Sequence, residues 1–189
     1  LEFRSMARSL LLFLLLSISW ACTSESPSAL EKESDEGPLL AVCSLRGTQG
    51  NEKVQGTVRF TRQADGVLIE AKVAGLAPGL HGFHIHEWGD VECMDGKCAG
   101  GHFNPDGSNH GGPEAAVRHV GDLGNLEATK DGYGTYRRVD RRIKLSGQDS
   151  IIGRAVILHS DEDDLMSQPT GNAGLRVASG VIGIGKPKE

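Results

Sequence analysis

Short runs of alternating apolar and polar residues recur along most of the chain. Turn sequences such as Ala64-Asp65-Gly66 and Lys130-Asp131-Gly132 separate several of these runs. No run with the helical period reaches ten residues. The pattern predicts an all-β domain of about eight antiparallel strands, folded as a sandwich or a barrel. The runs occupy residues 39–45, 54–61, 67–73, 82–86, 133–139, 154–159 and 175–184.

The N-terminal 37 residues do not continue this pattern. Residues 1–5 precede the first methionine and are interpreted as a cloning remnant. The apolar run 10–18 is typical of a secretory signal peptide over residues 6–21, and it is too short to span a bilayer. Residues 22–37 are polar and acidic, which predicts a disordered tether before a folded domain at 38–189.

This N-terminal segment predicts an exported protein, either extracellular or periplasmic. Cys22 directly follows Ala21, and an acylated Cys22 is the alternative, with the protein tethered to a membrane as a lipoprotein.

The net charge and the amino-acid composition exclude one class of partner and support the predicted fold. The formal net charge of −5 argues against nucleic acid as a partner. The 26 glycines and the low aromatic content of 5% agree with a turn-rich β domain that has an aliphatic core.

Histidines are concentrated in one part of the chain, because six of the seven lie between residues 81 and 122. His84 and His86 are two residues apart in a predicted strand, which places both side chains on one face. More than thirty residues without a clear strand follow them, and metal coordination is a natural way to hold so long a loop. Nitrogen ligands with one carboxylate suit copper and zinc. The further candidate ligands are His102, His110, His119, Asp122 and His159.

Five motifs occur in a fixed order and together resemble the copper/zinc superoxide dismutase family, over about residues 39–185. The resemblance implies an eight-stranded antiparallel Greek-key sandwich or barrel with long metal-binding loops. It also implies an enzyme that converts superoxide to dioxygen and hydrogen peroxide. The motifs are His84-Ile85-His86, Gly101-His102-Phe103-Asn104-Pro105, His110-Gly111-Gly112-Pro113, His119-Val120-Gly121-Asp122-Leu123-Gly124-Asn125 and Gly171-Asn172-Ala173-Gly174.

The resemblance also implies the roles of individual residues. Copper is expected on His84, His86, His102 and His159, and zinc on His102, His110, His119 and Asp122. His102 would bridge the two metals and supply a proton to the substrate. Asp163 matches a carboxylate that links a copper histidine to a zinc histidine. Arg176 matches the arginine that attracts the substrate anion, and Thr170 matches the opposite wall of the channel. His81 matches a packed core histidine and is left out of the site.

The chain departs from the family pattern at its cysteines. The family joins a loop cysteine to one near the C-terminus, but Ser179 stands at the second position here, so that bridge cannot form. Cys43 is expected to be a buried free thiol. Cys93 and Cys98 could form a local disulfide after export, and two free thiols or an intermolecular bridge are the alternatives.

Two other features concern the substrate channel and assembly. The segment 165–169 is shorter than the charged loop that steers superoxide in many family members, so steering is expected to rest mostly on Arg176. Segments 151–153 and 180–183 resemble those that pair subunits in family dimers, which predicts a homodimer.

The competing functions are a superoxide-dismutase-like copper chaperone and a non-catalytic zinc-binding sandwich.

Overall fold

The computed structural model describes residues 37–187. The predicted signal peptide, Cys22 and nearly all of the predicted tether lie outside the described residues. Among the described residues, no helix has the length and apolarity needed to cross a membrane. The strands are β1 (Leu40–Gly47), β2 (Gln55–Gln63), β3 (Gly66–Ala74), β4 (Gly79–His86), β5 (Asp122–Ala128), β6 (Tyr133–Asp140), β7 (Ala155–His159) and β8 (Arg176–Ile184).

These eight antiparallel strands close into a barrel in the order β1-β2-β3-β6-β5-β4-β7-β8. Because β3 pairs with β6 and β4 with β7, two connections cross between non-consecutive strands, as in a Greek key. The predicted all-β fold is confirmed. The sequence pattern missed β5, whose Asp-Leu-Gly-Asn-Leu-Glu-Ala does not alternate cleanly and contains Gly124 at a φ of 77°.

Alternation along β4 separates the core from the outer face of the barrel. Phe83 and Ile85 are fully buried inside the barrel, and the Phe83 ring packs edge-on against Tyr136 at 5.0 Å. His84 and His86 therefore project from the opposite face, as the sequence predicted. Both are nevertheless buried, at 0% and 1% exposure, so the chain outside the barrel must cover them.

The long connection from β4 to β5 supplies that cover. It contains only a short 3-10 helix, Lys97–Ala99, and an isolated bridge that pairs His86 with His102. Phe103 donates its backbone N–H to Ile85 at 2.8 Å, and Ile85 donates to Gly121 at 2.9 Å. A Cβ at position 121 would collide with the Ile85 carbonyl, so this close approach requires glycine. The middle and the C-terminal end of the connection are thus fastened to the strand that carries His84 and His86.

Candidate metal centre

The first cluster consists of four buried histidines on the outer face of the barrel. His84 and His86 come from β4, and His159 lies at the end of the neighbouring β7. The loop brings His102 against them, and its ring centroid is 3.9 Å from that of His84. One ring nitrogen from each histidine can be chosen so that all four lie within 4.8 Å of one another. Three of the four ligands that resemblance assigns to copper therefore stand on paired strands.

The second cluster is built almost entirely from the loop, with a carboxylate at its centre. Asp122 Oδ1 lies 2.7 Å from His102 Nδ1 and 3.1 Å from His119 Nδ1. It also lies 3.0 Å from His110 Nδ1. Asp122 Oδ2 accepts backbone hydrogen bonds from Gly111 and His119, which fixes the carboxylate where β5 begins. All four residues of the set assigned to zinc thus converge.

Asp163 connects the two clusters. Its Oδ2 lies 2.8 Å from His84 Nε2, and its Oδ1 lies 3.0 Å from His110 Nε2. An ionised carboxylate only accepts hydrogen bonds, so both histidines carry a proton on Nε2, which leaves Nδ1 to face its cluster. Asn125 holds Asp163 by accepting its backbone N–H at 2.8 Å and donating to its carbonyl at 2.9 Å. This role of Asn125 was not predicted from the sequence.

Burial keeps the first cluster neutral. It lowers the pKa of His102 to about 3 and that of His159 to about 2, and neighbouring histidines add to the effect. Burial likewise lowers the pKa of His84 and His86. Neutral imidazoles keep a lone pair free, which a cation needs in a ligand.

The second cluster has the opposite electrostatics. Burial disfavours protonation of His110, but hydrogen bonds and charge from Asp122 and Asp163 outweigh it and raise the pKa to about 9. Burial also opposes ionisation of Asp122, yet its three histidine contacts hold its pKa far below the usual range. A carboxylate among imidazoles carries negative charge that a divalent cation would neutralise.

The unpaired ring nitrogens test whether metal ions fit. His84 Nδ1 and His102 Nε2 are buried without a hydrogen-bond partner among the described residues. Buried polar atoms are rarely left unpaired, and a bound ion is one of the accepted explanations. His102 belongs to both clusters. Its Nδ1 faces Asp122, so its unpaired Nε2 is left for the first cluster. Four nitrogens suit copper, and three nitrogens with one carboxylate suit zinc.

An open cavity of about 350 Å³ reaches the first cluster at His86 and His159, and Thr170 and Arg176 also line it. Arg176 donates hydrogen bonds of 2.6 Å to the carbonyls of Gly96 and Gly100. The Gly100 carbonyl also lies 3.0 Å from His86 Nδ1. One loop therefore positions both the arginine and a histidine. Sequence reasoning missed Gly96 and Gly100 because a carbonyl that acts through the backbone has no side-chain signature.

The cysteines stand close to this cavity and in the core. Cys93 and Cys98 form a disulfide within the same loop, with their Cα atoms 5.4 Å apart. Cys43 is a free, buried thiol, as predicted, and burial raises its pKa to about 12.

His81 is 3% exposed, and its ring nitrogens lie 2.8 Å from the carbonyls of His159 and Ala77. It thus lies beside the site as a packed, hydrogen-bonded residue.

The short segment after Asp163 has a structural role that sequence reasoning did not foresee. Asp164 is exposed, and its carboxylate accepts the backbone N–H of Met166 and Ser167. Gln168 hydrogen-bonds both the N–H and the carbonyl of His110, at 2.8 and 2.9 Å. The shortened loop therefore helps to fix a residue of the second cluster.

Comparison with known proteins agrees with this geometry. A family model described as copper/zinc superoxide dismutase (SODC) matches residues 54–182, which is more than half of the chain. The chain belongs to the copper/zinc superoxide dismutase family. It is also similar to a crystal structure of the clock protein EA4, with 44% sequence identity and a TM-score of 0.72. That match covers 78% of this chain and 96% of the other.

Proposed function

We propose that the protein dismutates superoxide, so that two superoxide anions and two protons give one dioxygen and one hydrogen peroxide. The observation that carries this proposal is His102, which is shared by two buried ligand clusters beside a cavity lined by Arg176. A shared imidazole joins a redox site to a structural site. The neighbouring guanidinium supplies an attractive charge for a small anion.

Each cluster has a distinct task in this proposal. His84, His86, His102 and His159 would hold copper, which supplies one-electron oxidation and reduction of superoxide when bound. His102, His110, His119 and Asp122 would hold zinc, which has no redox chemistry and orders the loop. Asp163 keeps His84 and His110 in the tautomers that point Nδ1 at each cluster.

Arg176 is proposed to bind the substrate. Its two short hydrogen bonds to loop carbonyls fix the guanidinium, so little order is lost when an anion arrives. Thr170 lines the same cavity. The guanidinium stays charged over the working pH range and attracts a monoanion even though the whole chain carries a formal charge of −5.

His102 is proposed to deliver a proton. Its Nδ1 is held by Asp122, so Nε2, which faces the first cluster, is the ring atom that can exchange a proton. Burial disfavours the doubly protonated ring, because it lowers the pKa of His102 to about 3. Nε2 would therefore hold a proton only briefly, as a donor to a reduced substrate does.

Metal analysis combined with a superoxide consumption assay tests the proposal. We expect the purified protein to bind copper and zinc in equal amounts and to consume superoxide rapidly only when copper is present. The name of the relative EA4 refers to a clock and states no reaction, so turnover must be measured directly. Stoichiometric copper without turnover would favour the chaperone, and zinc alone without turnover would favour the non-catalytic sandwich. Either result would refute the dismutase proposal.

We also propose that the protein is an exported homodimer. Gly153 donates its backbone N–H to the Ile182 carbonyl at 2.8 Å, which joins the two segments that resemble family dimer contacts. Beside them Val181 and Ile184 are 40% and 69% exposed, which leaves apolar surface for a second copy. Val181→Glu should convert the dimer to a monomer in sedimentation experiments, whereas a wild-type monomer would contradict this assignment.

Export, with or without lipidation at Cys22, is tested by N-terminal sequencing and mass spectrometry of the mature protein.

A further inference from the structure

A second cavity, separate from the one at Arg176, is lined by arginines. This open groove has a volume of about 800 Å³ and lies between residues 113–118 of the long loop and the end of β6. No lysine lines it, and it shares no lining residue with the cavity at Arg176. Such a concentration of guanidinium groups is unexpected in a chain with a formal charge of −5. The lining includes Arg118, Arg138, Arg141, Arg142, Asp106 and Glu114.

Arg118 provides a fixed positive charge at the base of this arginine groove. It is 5% exposed, and it donates to three backbone carbonyls and, at 2.6 Å, to Asp140. Its hydrogen bonds to the protein are therefore already made. Direct contacts with a ligand must come from the other arginines.

Arg138 meets the groove through its terminal nitrogens. Its two terminal nitrogens donate to Glu114 at 2.6 Å and to the Pro113 carbonyl at 2.7 Å. Its Nε is buried without a hydrogen-bond partner among the described residues, and Asp140 is 3.8 Å away. Because Nε has no exposed surface, a ligand in the groove reaches Arg138 through the terminal nitrogen that now donates to the exposed Glu114.

Arg141 and Arg142 add donors at the rim. The Arg141 side chain is 82% exposed, and its nearest carboxylate, Asp65, is 4.0 Å away, so that contact is weak. Arg142 contacts Asp106, and both of these side chains are partly exposed, at 26% and 44%. The fork of a guanidinium matches the oxygens of a tetrahedral oxyanion better than an ammonium does.

Glu114 marks the position that a ligand can take. Its side chain is 86% exposed and contacts Arg138 through a single oxygen. The hydrogen bond and the charge of Arg138 lower the pKa of Glu114, so the residue is an anion at neutral pH. A carboxylate held this loosely is easily displaced by a ligand that carries two negative charges.

We propose that this arginine groove binds a phosphate group, either as the free ion or on a small ester. Arg138, Arg141 and Arg142 donate to the phosphate oxygens, and Glu114 swings into solvent. The volume exceeds the needs of a bare phosphate and leaves room for the rest of an ester. The site is independent of the proposed dismutase reaction, because the two cavities have separate linings.

Titration calorimetry tests the groove on the full, metal-loaded protein at constant ionic strength. The probes are inorganic phosphate and glycerol 2-phosphate, with chloride as the control anion. Saturable binding of phosphate supports the free ion as ligand, and tighter binding of the ester supports an ester. The Arg176→Gln variant must retain this binding. No saturable binding of either probe, or loss of binding in Arg176→Gln, would overturn the proposal.

Paired variants localise the binding. Arg141→Gln combined with Arg142→Gln should weaken phosphate at least about tenfold, because two charge-assisted contacts are lost. Arg137→Gln is the control, since Arg137 is the neighbour of Arg138 on β6 but points to the opposite face and pairs with Glu70. Glu114→Gln should tighten binding about threefold or more by releasing Arg138, while Glu70→Gln, which releases Arg137, should not. If the groove variants and their controls at Arg137 and Glu70 changed phosphate affinity equally, the effect would come from overall charge. The groove would then be rejected as the binding site.

Discussion

The two ligand clusters are supported in different ways, although they share His102. The first rests on the barrel, because His84, His86 and His159 stand on the adjacent strands β4 and β7. The second rests on the long loop, where only Asp122 belongs to a strand. Strand pairing holds a ligand even without an ion, whereas loop ligands depend on what they bind. We therefore expect loss of copper to abolish superoxide consumption and loss of zinc to disorder the long loop.

His159→Ala breaks the first cluster alone and should have the largest effect. Removal of this ligand should lower superoxide consumption to the spontaneous rate, because the other three histidines no longer complete the copper set. Zinc should stay bound, since no contact with Asp122 is changed. Metal analysis and the consumption assay on the same sample check both statements. Full activity with full copper occupancy would remove His159 from the ligand set.

Asp122→Ala breaks the second cluster and, through the shared His102, should impair both clusters. It removes the carboxylate that contacts His102, His110 and His119, and it unpairs two backbone N–H groups. Loss of a buried, paired charge costs about 3–5 kcal/mol of unfolding free energy. Zinc should be lost, and limited proteolysis should cut between residues 87 and 121. Asp131→Ala serves as a control at an exposed carboxylate away from the loop. A protease-resistant, zinc-free Asp122→Ala protein would contradict the dependence of the loop on zinc.

Arg176→Glu removes no ligand of either cluster and should act mainly on substrate approach. Reversal of the charge should lower the bimolecular rate by about tenfold or more at low salt. Added salt should then raise the rate, because it screens repulsion instead of attraction. Arg137→Glu makes the same charge change at a side chain that is 71% exposed, and it should leave the salt dependence of the rate unchanged. Rates that fall with salt in both variants would exclude Arg176 from substrate binding.

Metal removal should make the stability of the protein depend on pH through His110 of the second cluster. The pKa of His110 is raised from 6.5 to about 9, so the folded state holds this proton more tightly than the unfolded state. The resulting stability is complete below pH 6.5 and disappears as the pH rises through 9. The Tm of the metal-free protein should fall across this range. The His110→Gln variant and the zinc-loaded protein should not show this fall, and the same fall in all three would rule out His110 as the cause.

Alternation along the sequence predicted much of the fold, whereas the ligand sets were predicted only with the help of family resemblance. Alternation predicted most strands and the shared face of His84 and His86, because a period of two is a local property. The joining of His102, His110 and His119 to those strands came only from family resemblance, since it depends on contacts between distant parts of the chain. The roles of Asn125 and the Gly100 carbonyl were missed for the same reason. β5 was missed because Gly124 interrupts its pattern.

Hydrogen exchange on the copper-loaded, zinc-free protein tests the contrast between strand-borne and loop-borne ligands most directly. Compared with the fully loaded protein, the amides of residues 87–121 should exchange much faster, while those of β4 and β7 should keep their protection. Addition of zinc should restore the slow exchange of the loop. Unchanged protection of residues 87–121 without zinc, or loss of protection in β4 and β7, would contradict the account.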